Sequence, residues 1–185
     1  STTKFGSFGL TFNGSMKLNF ANFSGSHIGA KSFAVEAWVR TTSGKSQQQI
    51  ISKYSSGGVQ ALTLSYREGS CGAAPRLIFR LNGADACANV NIEDGNWHHV
   101  AGVKTQGNYQ ALYLDGVAIN ISSNADDLSD TNHNWTIGNW HFPGDNTGGF
   151  NGTIDEVAVW NISLSNDTIL QHYQLGWGYF NTSNF

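Results

Sequence analysis

The chain has 185 residues, a length that fits one domain of ordinary size with a core of its own. Charged residues make up only 12% and hydrophobic ones 39%, with 22 Gly and 2 Pro, which excludes disorder and leaves no material for long Ala/Glu/Lys/Leu helices. A net charge of −3 on 10 Lys plus Arg leaves no basic stripe for nucleic acid, and no apolar run approaches the ~18 residues of a membrane helix, so neither partner is expected.

Turn clusters punctuate almost the whole length. FGLTF (8–12) and MKLNF (16–20) flank Asn13-Gly14-Ser15, which reads as a hairpin. FAVEAWVRT (33–41) alternates Phe33, Val35, Ala37 and Val39 against Glu36, Trp38 and Arg40, the period of a strand. QIISKY (49–54) and QALTLSY (60–66) flank Ser55-Ser56-Gly57-Gly58, a second hairpin signal, and RLIFRLN (76–82) alternates again. WHHVAGVK (97–104) and YQALYLDG (109–116) are joined by Thr105-Gln106-Gly107-Asn108, and Leu114-Asp115-Gly116-Val117 is a tight Asp-Gly turn. HNWTIGNW (133–140) and GTIDEVAVWN (152–161) follow. LSNDTILQHY (164–173) looks helical, with Ser165 as its cap and Ile169, Leu170 and Tyr173 on one face. About twelve strands with regular turn signals predict an all-β two-sheet sandwich, in a single domain over 1–185 without a linker.

Two features point to an extracellular location, at a cell surface or in a secreted protein. Cys71 and Cys87 are the only cysteines, and a disulfide between them would add on the order of 3 kcal/mol. Asn-x-Ser/Thr occurs at Asn13, Asn22, Asn120, Asn134, Asn151, Asn161, Asn166 and Asn181, where the composition predicts about three by chance, so these asparagines are candidate glycosylation sites. The stretch 38–110 carries none and is expected to hold the glycan-free face. The opening STTKFGSFGL has no apolar core after Lys4, so either a signal was removed or the chain is a piece of a longer protein.

For ligands, the richest stretch is NWHFPGDNTGG (139–149), with Trp140, His141, Phe142, Asp145 and Asn146 on a loop; aromatic rings there can stack on sugar faces while amides and carboxylates bond hydroxyls. Tyr66 and Arg67, at a strand end, form a second candidate, with Arg80 and Asn82 behind them. The acidic run 124–134, with Asp126, Asp127 and Asp130, is a candidate cation site because three close acids repel unless solvated or neutralised, but Asp/Asn-rich turn chemistry is the favoured reading. No Gly-x-Ser-x-Gly elbow and no zinc-type Cys/His spacing occur.

Three segments, in order, resemble one family: FAVEAWVR (33–40), DGNWHHVAGVK with YQALYLDGVAI (94–104 and 109–119), and FNGTIDEVAVWNISLSNDTI (150–169). Over about residues 8–175 the chain is similar to laminin-G-like domains of the concanavalin A-like lectin/glucanase superfamily. The resemblance implies a jelly roll of two curved antiparallel sheets. It makes His98-His99 a structural pair, one ring inward and one outward. It implies a structural calcium ion held by Asp155 and by carbonyls of the Asn13-Gly14 turn, where many relatives carry Asp-Gly. Hydrolases of the superfamily space two acids along one strand, and this chain has no such pattern: Glu36 stands alone, and Asp155 and Glu156 are adjacent and point to opposite faces. The expected function is a non-catalytic extracellular module binding carbohydrate. The alternative is a structural or adhesion domain of a glycosylated cell-surface or viral protein, with a cell-surface protein as partner, and a glycoside hydrolase is a minor one.

Overall fold

The computed structural model describes residue 4 and residues 9–20, 31–54, 60–67, 71–72, 76–105, 109–123, 134–140 and 147–176. Among them, twelve strands and one helix are present: β1 (Leu10–Asn13), β2 (Leu18–Phe20), β3 (Phe33–Arg40), β4 (Gln48–Tyr54), β5 (Gln60–Tyr66), β6 (Leu77–Leu81), β7 (Ala84–Ala88), β8 (His98–Thr105), β9 (Tyr109–Leu114), β10 (Val117–Ser122), β11 (Trp135–Ile137), β12 (Asn151–Trp160) and α1 (Asn166–Leu175). They form two antiparallel sheets, β1-β12-β3-β8-β9-β10 and β2-β11-β4-β5-β6-β7, the all-β jelly roll expected from the sequence.

The alternation read in the sequence decides which side chains meet between the sheets. Phe33, Val35, Ala37, Val39, Val100 and Leu112 of the first sheet pack against Leu62, Leu64, Tyr66, Leu77, Phe79 and Leu81 of the second. The Asp115-Gly116 and Asn82-Gly83 pairs take positive φ (50° and 80°; 46° and 92°), the conformation that two-residue hairpin loops require. They join β9 to β10 and β6 to β7, and β7 is also tied to Cys71 by the Cys71–Cys87 disulfide.

One expected hairpin is a crossover instead. β1 pairs with β12 in one sheet, whereas β2 pairs with β11 in the other. The Asn13 side chain accepts the N–H groups of Ser15 (3.0 Å) and Met16 (3.2 Å), and Gly14 N–H donates to the Phe150 carbonyl (2.8 Å). The turn is therefore stitched to the strand entering β12 and carries the chain over the sandwich edge. The 55–58 turn and the 106–108 part of the next lie outside the described residues.

The outer face of the first sheet is covered by α1. Ser165 Oγ accepts the Thr168 N–H (3.1 Å) as the N-cap. Leu164 and Ile169 pack on Ala34, Ala101, Val103 and Tyr113. The buried helical face is Ile169 with His172, and Tyr173 stacks on Trp38 (5.7 Å, 22°); Leu170, expected on that face, is 37% exposed.

Candidate functional site

The pairing of β12 with β3 sets Thr153 opposite Arg40. It thereby builds a polar cleft of about 410 Å³ at one end of the first sheet, lined by Arg40, Thr41, Thr42, Ser43, Asn151, Gly152 and Thr153. Its walls are held from behind. Arg40 Nε donates to the Gly95 carbonyl (2.7 Å), and Gly95 N–H donates to the Thr41 carbonyl (3.1 Å). Thr41 Oγ1 donates to the Asn151 carbonyl (2.6 Å) and accepts the Ser43 N–H (2.9 Å). The fully buried Gln48 donates from Nε2 to the Ser43 carbonyl (2.9 Å) and accepts the Asn151 N–H at Oε1 (3.1 Å). Gly152 is required on the floor: it has φ 155°, and a Cβ there would lie 2.2 Å from the Arg40 carbonyl oxygen. The result is a preorganised group of hydroxyls, an amide and a guanidinium, with no carboxylate lining it among the described residues.

Beside the cleft, Asp94 and Asp115 grip the His98 ring from both sides (3.2 and 2.8 Å). The hydrogen bond to Asp115 is the largest influence and, with its charge and that of Asp94, holds the imidazole above its ordinary pKa despite burial. His99 lies on the opposite face, under α1. Its Nε2 donates to Glu36 Oε2 (3.1 Å), His172 Nδ1 donates to Glu36 Oε1 (2.9 Å), and Trp160 Nε1 donates to Oε1 (2.6 Å). Burial pushes the Glu36 carboxyl up, but the bonds and charges of His172 and His99 outweigh it, and its pKa lies below the ordinary 4.5. Glu36 is thus a fully buried structural anion, out of reach of a substrate.

Among the described residues, the ligand residues predicted from sequence do not line this cleft. Tyr66 is fully buried; its hydroxyl accepts the Ile92 N–H and faces Asn91 Oδ1, both at 3.4 Å, so it offers no ring to a ligand. Arg67 is engaged by both oxygens of Glu93. Arg80 makes the same fork with Asp85 (2.6 and 2.9 Å), and Asn82 serves its turn. Trp140 is half-buried against Gly148, where a Cβ would lie 1.3 Å from the indole nitrogen, so much of its ring is used in packing. His141, Phe142, Asp145 and Asn146 lie outside the described residues, as do Asn22, Asn181 and the three acids of 126–130.

Nor does the structure bring the expected calcium ligands together. Asn13 faces Asn151 across the β1–β12 ladder, four residues before Asp155. Asn13 Oδ1 is taken by its own turn, and the Gly14 carbonyl accepts the Lys45 ammonium (2.6 Å). The Asp155 carboxylate accepts the N–H groups of Lys4 (2.8 Å) and Glu156 (2.9 Å). A cation already sits at the turn, and the residues present do not fit a shared calcium cage.

Two other surfaces are less suited to a polar ligand. Ser52, Thr63, Ser65 and Thr136, on the face of the second sheet turned away from the core, are fully buried and so present no accessible hydroxyl. A cavity of about 190 Å³ between the sheets is lined by Phe20, Ile51, Trp135, Ile137, Val157 and Val159, apolar side chains that cannot orient hydroxyls.

Of the sequon asparagines, Asn13, Asn134, Asn151, Asn161 and Asn166 are exposed and Asn120 is half-buried. Arg40–Ser43, which belong to the sequon-free stretch 38–110, border the sequon residue Asn151 in space.

The chain belongs to the concanavalin A-like lectin/glucanase superfamily, whose family model matches residues 12–170. Comparison with curated protein sequences gave no match. Among solved structures, the fold is similar to a putative carbohydrate binding protein from Bacteroides ovatus, at TM-score 0.72 and 20% identity over 88% of this chain and 46% of that one. It is also similar to domain 4 of AbnA, an extracellular arabinanase of Geobacillus stearothermophilus in complex with arabinotriose, at TM-score 0.66 and 16% identity over 88% and 75% of the two chains. A third similar structure is an SAP-like pentraxin from Limulus polyphemus, at TM-score 0.62 and 16% identity over 77% and 70%.

Proposed function

We propose that the domain is a non-catalytic, extracellular carbohydrate-binding module and that the cleft at the β3–β12 end is its site. The observation that carries this reading is the lining itself: Arg40, Thr42, Ser43, Asn151 and Thr153 present hydrogen-bonding groups of the kind sugar hydroxyls need, while the buried Thr41 hydroxyl ties the two strands together, so the scaffold is fixed before a ligand arrives. The volume suits a mono- or disaccharide unit better than a long chain face. The superfamily and the carbohydrate-binding neighbours agree with it, and so does the disulfide, which belongs with an oxidising compartment. The absence of a carboxylate pair across the cleft, among the described residues, supports binding without hydrolysis.

The test is binding of the unglycosylated domain to a broad glycan array, followed by Thr42→Val and Thr153→Val. Both replacements keep the side-chain shape and delete a hydroxyl. At least one sugar is expected to bind, and each variant to weaken it about tenfold, the loss of roughly one hydrogen bond. An array with no hit, or hits indifferent to both variants, would remove the cleft from consideration.

One observation favours a second reading, an adhesion domain with a protein partner. Leu10, Met16, Leu18 and Phe20 are 38–53% exposed along the β1 and β2 edges, a surface on which another chain could dock.

A further inference from the structure

We propose that Asn151 is a modification site that gates the cleft: an N-linked glycan on its side chain and a bound saccharide exclude one another. The inference rests on the carbohydrate reading above. Asn151-Gly152-Thr153 is a glycosylation sequon, and all three of its residues line the cleft. Asn151 is exposed, so its Nδ2 can carry a glycan without unfolding the strand. Its backbone is clamped on both sides, by Gln48 at the N–H and by Thr41 at the carbonyl. A glycan there is anchored at the cleft mouth, with only the asparagine side chain and its own linkages to swing on.

A second acceptor neighbours Asn151 without lining the cleft. Asn13, of the sequon Asn13-Gly14-Ser15, is the direct cross-strand partner of Asn151 and is also exposed. Two sequons far apart in sequence therefore meet across the β1–β12 ladder. The other described sequons lie elsewhere: Asn120 on β10, at the far edge of the sheet, Asn134 before β11, Asn161 just after β12 and Asn166 at the start of α1.

The chemistry is ordinary glycosyl transfer by an external glycosyltransferase. Nδ2 of Asn151 attacks C1 of an oligosaccharide activated as a diphosphate ester; the C1–N bond forms, the C1–O bond breaks, the diphosphate leaves and one amide proton is released. No electrons change hands.

The experiment compares the same domain from a non-glycosylating host with an oxidising folding compartment and from a glycosylating secretory host. Peptide mass spectrometry reads occupancy at Asn151, and titration with the best array saccharide reads affinity. Asn151 is expected to be occupied in the second preparation, which should bind at least tenfold more weakly than the first. Native removal of N-glycans should restore binding, and an Asn161→Gln/Asn166→Gln variant from the glycosylating host should remain weak. A bare Asn151 in the glycosylated preparation, or equal affinity of the two preparations, would overturn the gate and leave the carbohydrate reading intact. Silence of the unglycosylated domain across the whole array would overturn both.

Discussion

Taking the Glu36 carboxylate out of water costs several kcal/mol, and donors from β8, β12 and α1 offset that cost. Glu36→Ala is expected to destabilise the domain by about 3 kcal/mol, since the buried His99 and His172 and the partly buried Trp160 lose their acceptor, as measured by denaturant unfolding. Glu36→Gln keeps the shape and removes the charge, so it isolates the pH effect. The folded-state pKa lies below the ordinary 4.5, so the stabilisation is complete above that value and is lost as pH falls through the lower folded value. Wild type should therefore lose stability on acidification from pH 5 more steeply than Glu36→Gln; parallel curves would contradict the assignment. The strand pattern showed Glu36 as a lone acid among apolar neighbours. It could not show the partner, because His172 is 136 residues away and meets it only when α1 packs down.

At the scale of elements, the pairing of β3 with β12 is what turns scattered polar residues into a cleft. β3 was legible from its period-two alternation and β12 as a β segment within one of the family motifs, and Gly152 was visible only as a glycine near a strand start. Its role follows from the close approach to the Arg40 carbonyl, a contact that depends on register. Gly152→Ala is expected to cost roughly 1–3 kcal/mol through the strained φ and the clash, and to weaken saccharide binding in the same protein. A variant with wild-type stability and affinity would show that the strands do not approach this closely. The ligand residues chosen from sequence were Tyr66 and Arg67 at a strand end and aromatic, imidazole, carboxylate and amide side chains on the 139–149 loop. Tyr66 and Arg67 are instead used by the fold, because a strand-end tyrosine that points inward is indistinguishable in sequence from one that points out.

For the whole molecule, the jelly roll was readable from strand count, turn chemistry and three motifs in order, whereas the crossover of β1 to one sheet and β2 to the other was not. A local Asn-Gly signal specifies a turn but not which strands it joins. Two global predictions follow from the bonds that hold the sandwich closed. Replacing Cys71 and Cys87 with Ser should lower stability by about 3 kcal/mol, as for a loop of this length, with the fold retained because the core does not depend on it. Because Lys45 already occupies the Gly14 carbonyl and Asp155 is held by backbone N–H groups, the melting temperature should be the same in millimolar calcium and in excess chelator; a rise of several degrees with calcium would show a cage that these bonds do not leave open. The most direct measurement of all is a hydrogen-exchange footprint of the unglycosylated domain with and without its best array saccharide. Added protection is expected at 40–43 and 151–153 together, on the two strands that form the cleft. Protection confined to the 139–149 loop, or to the β1 and β2 edges, would contradict it.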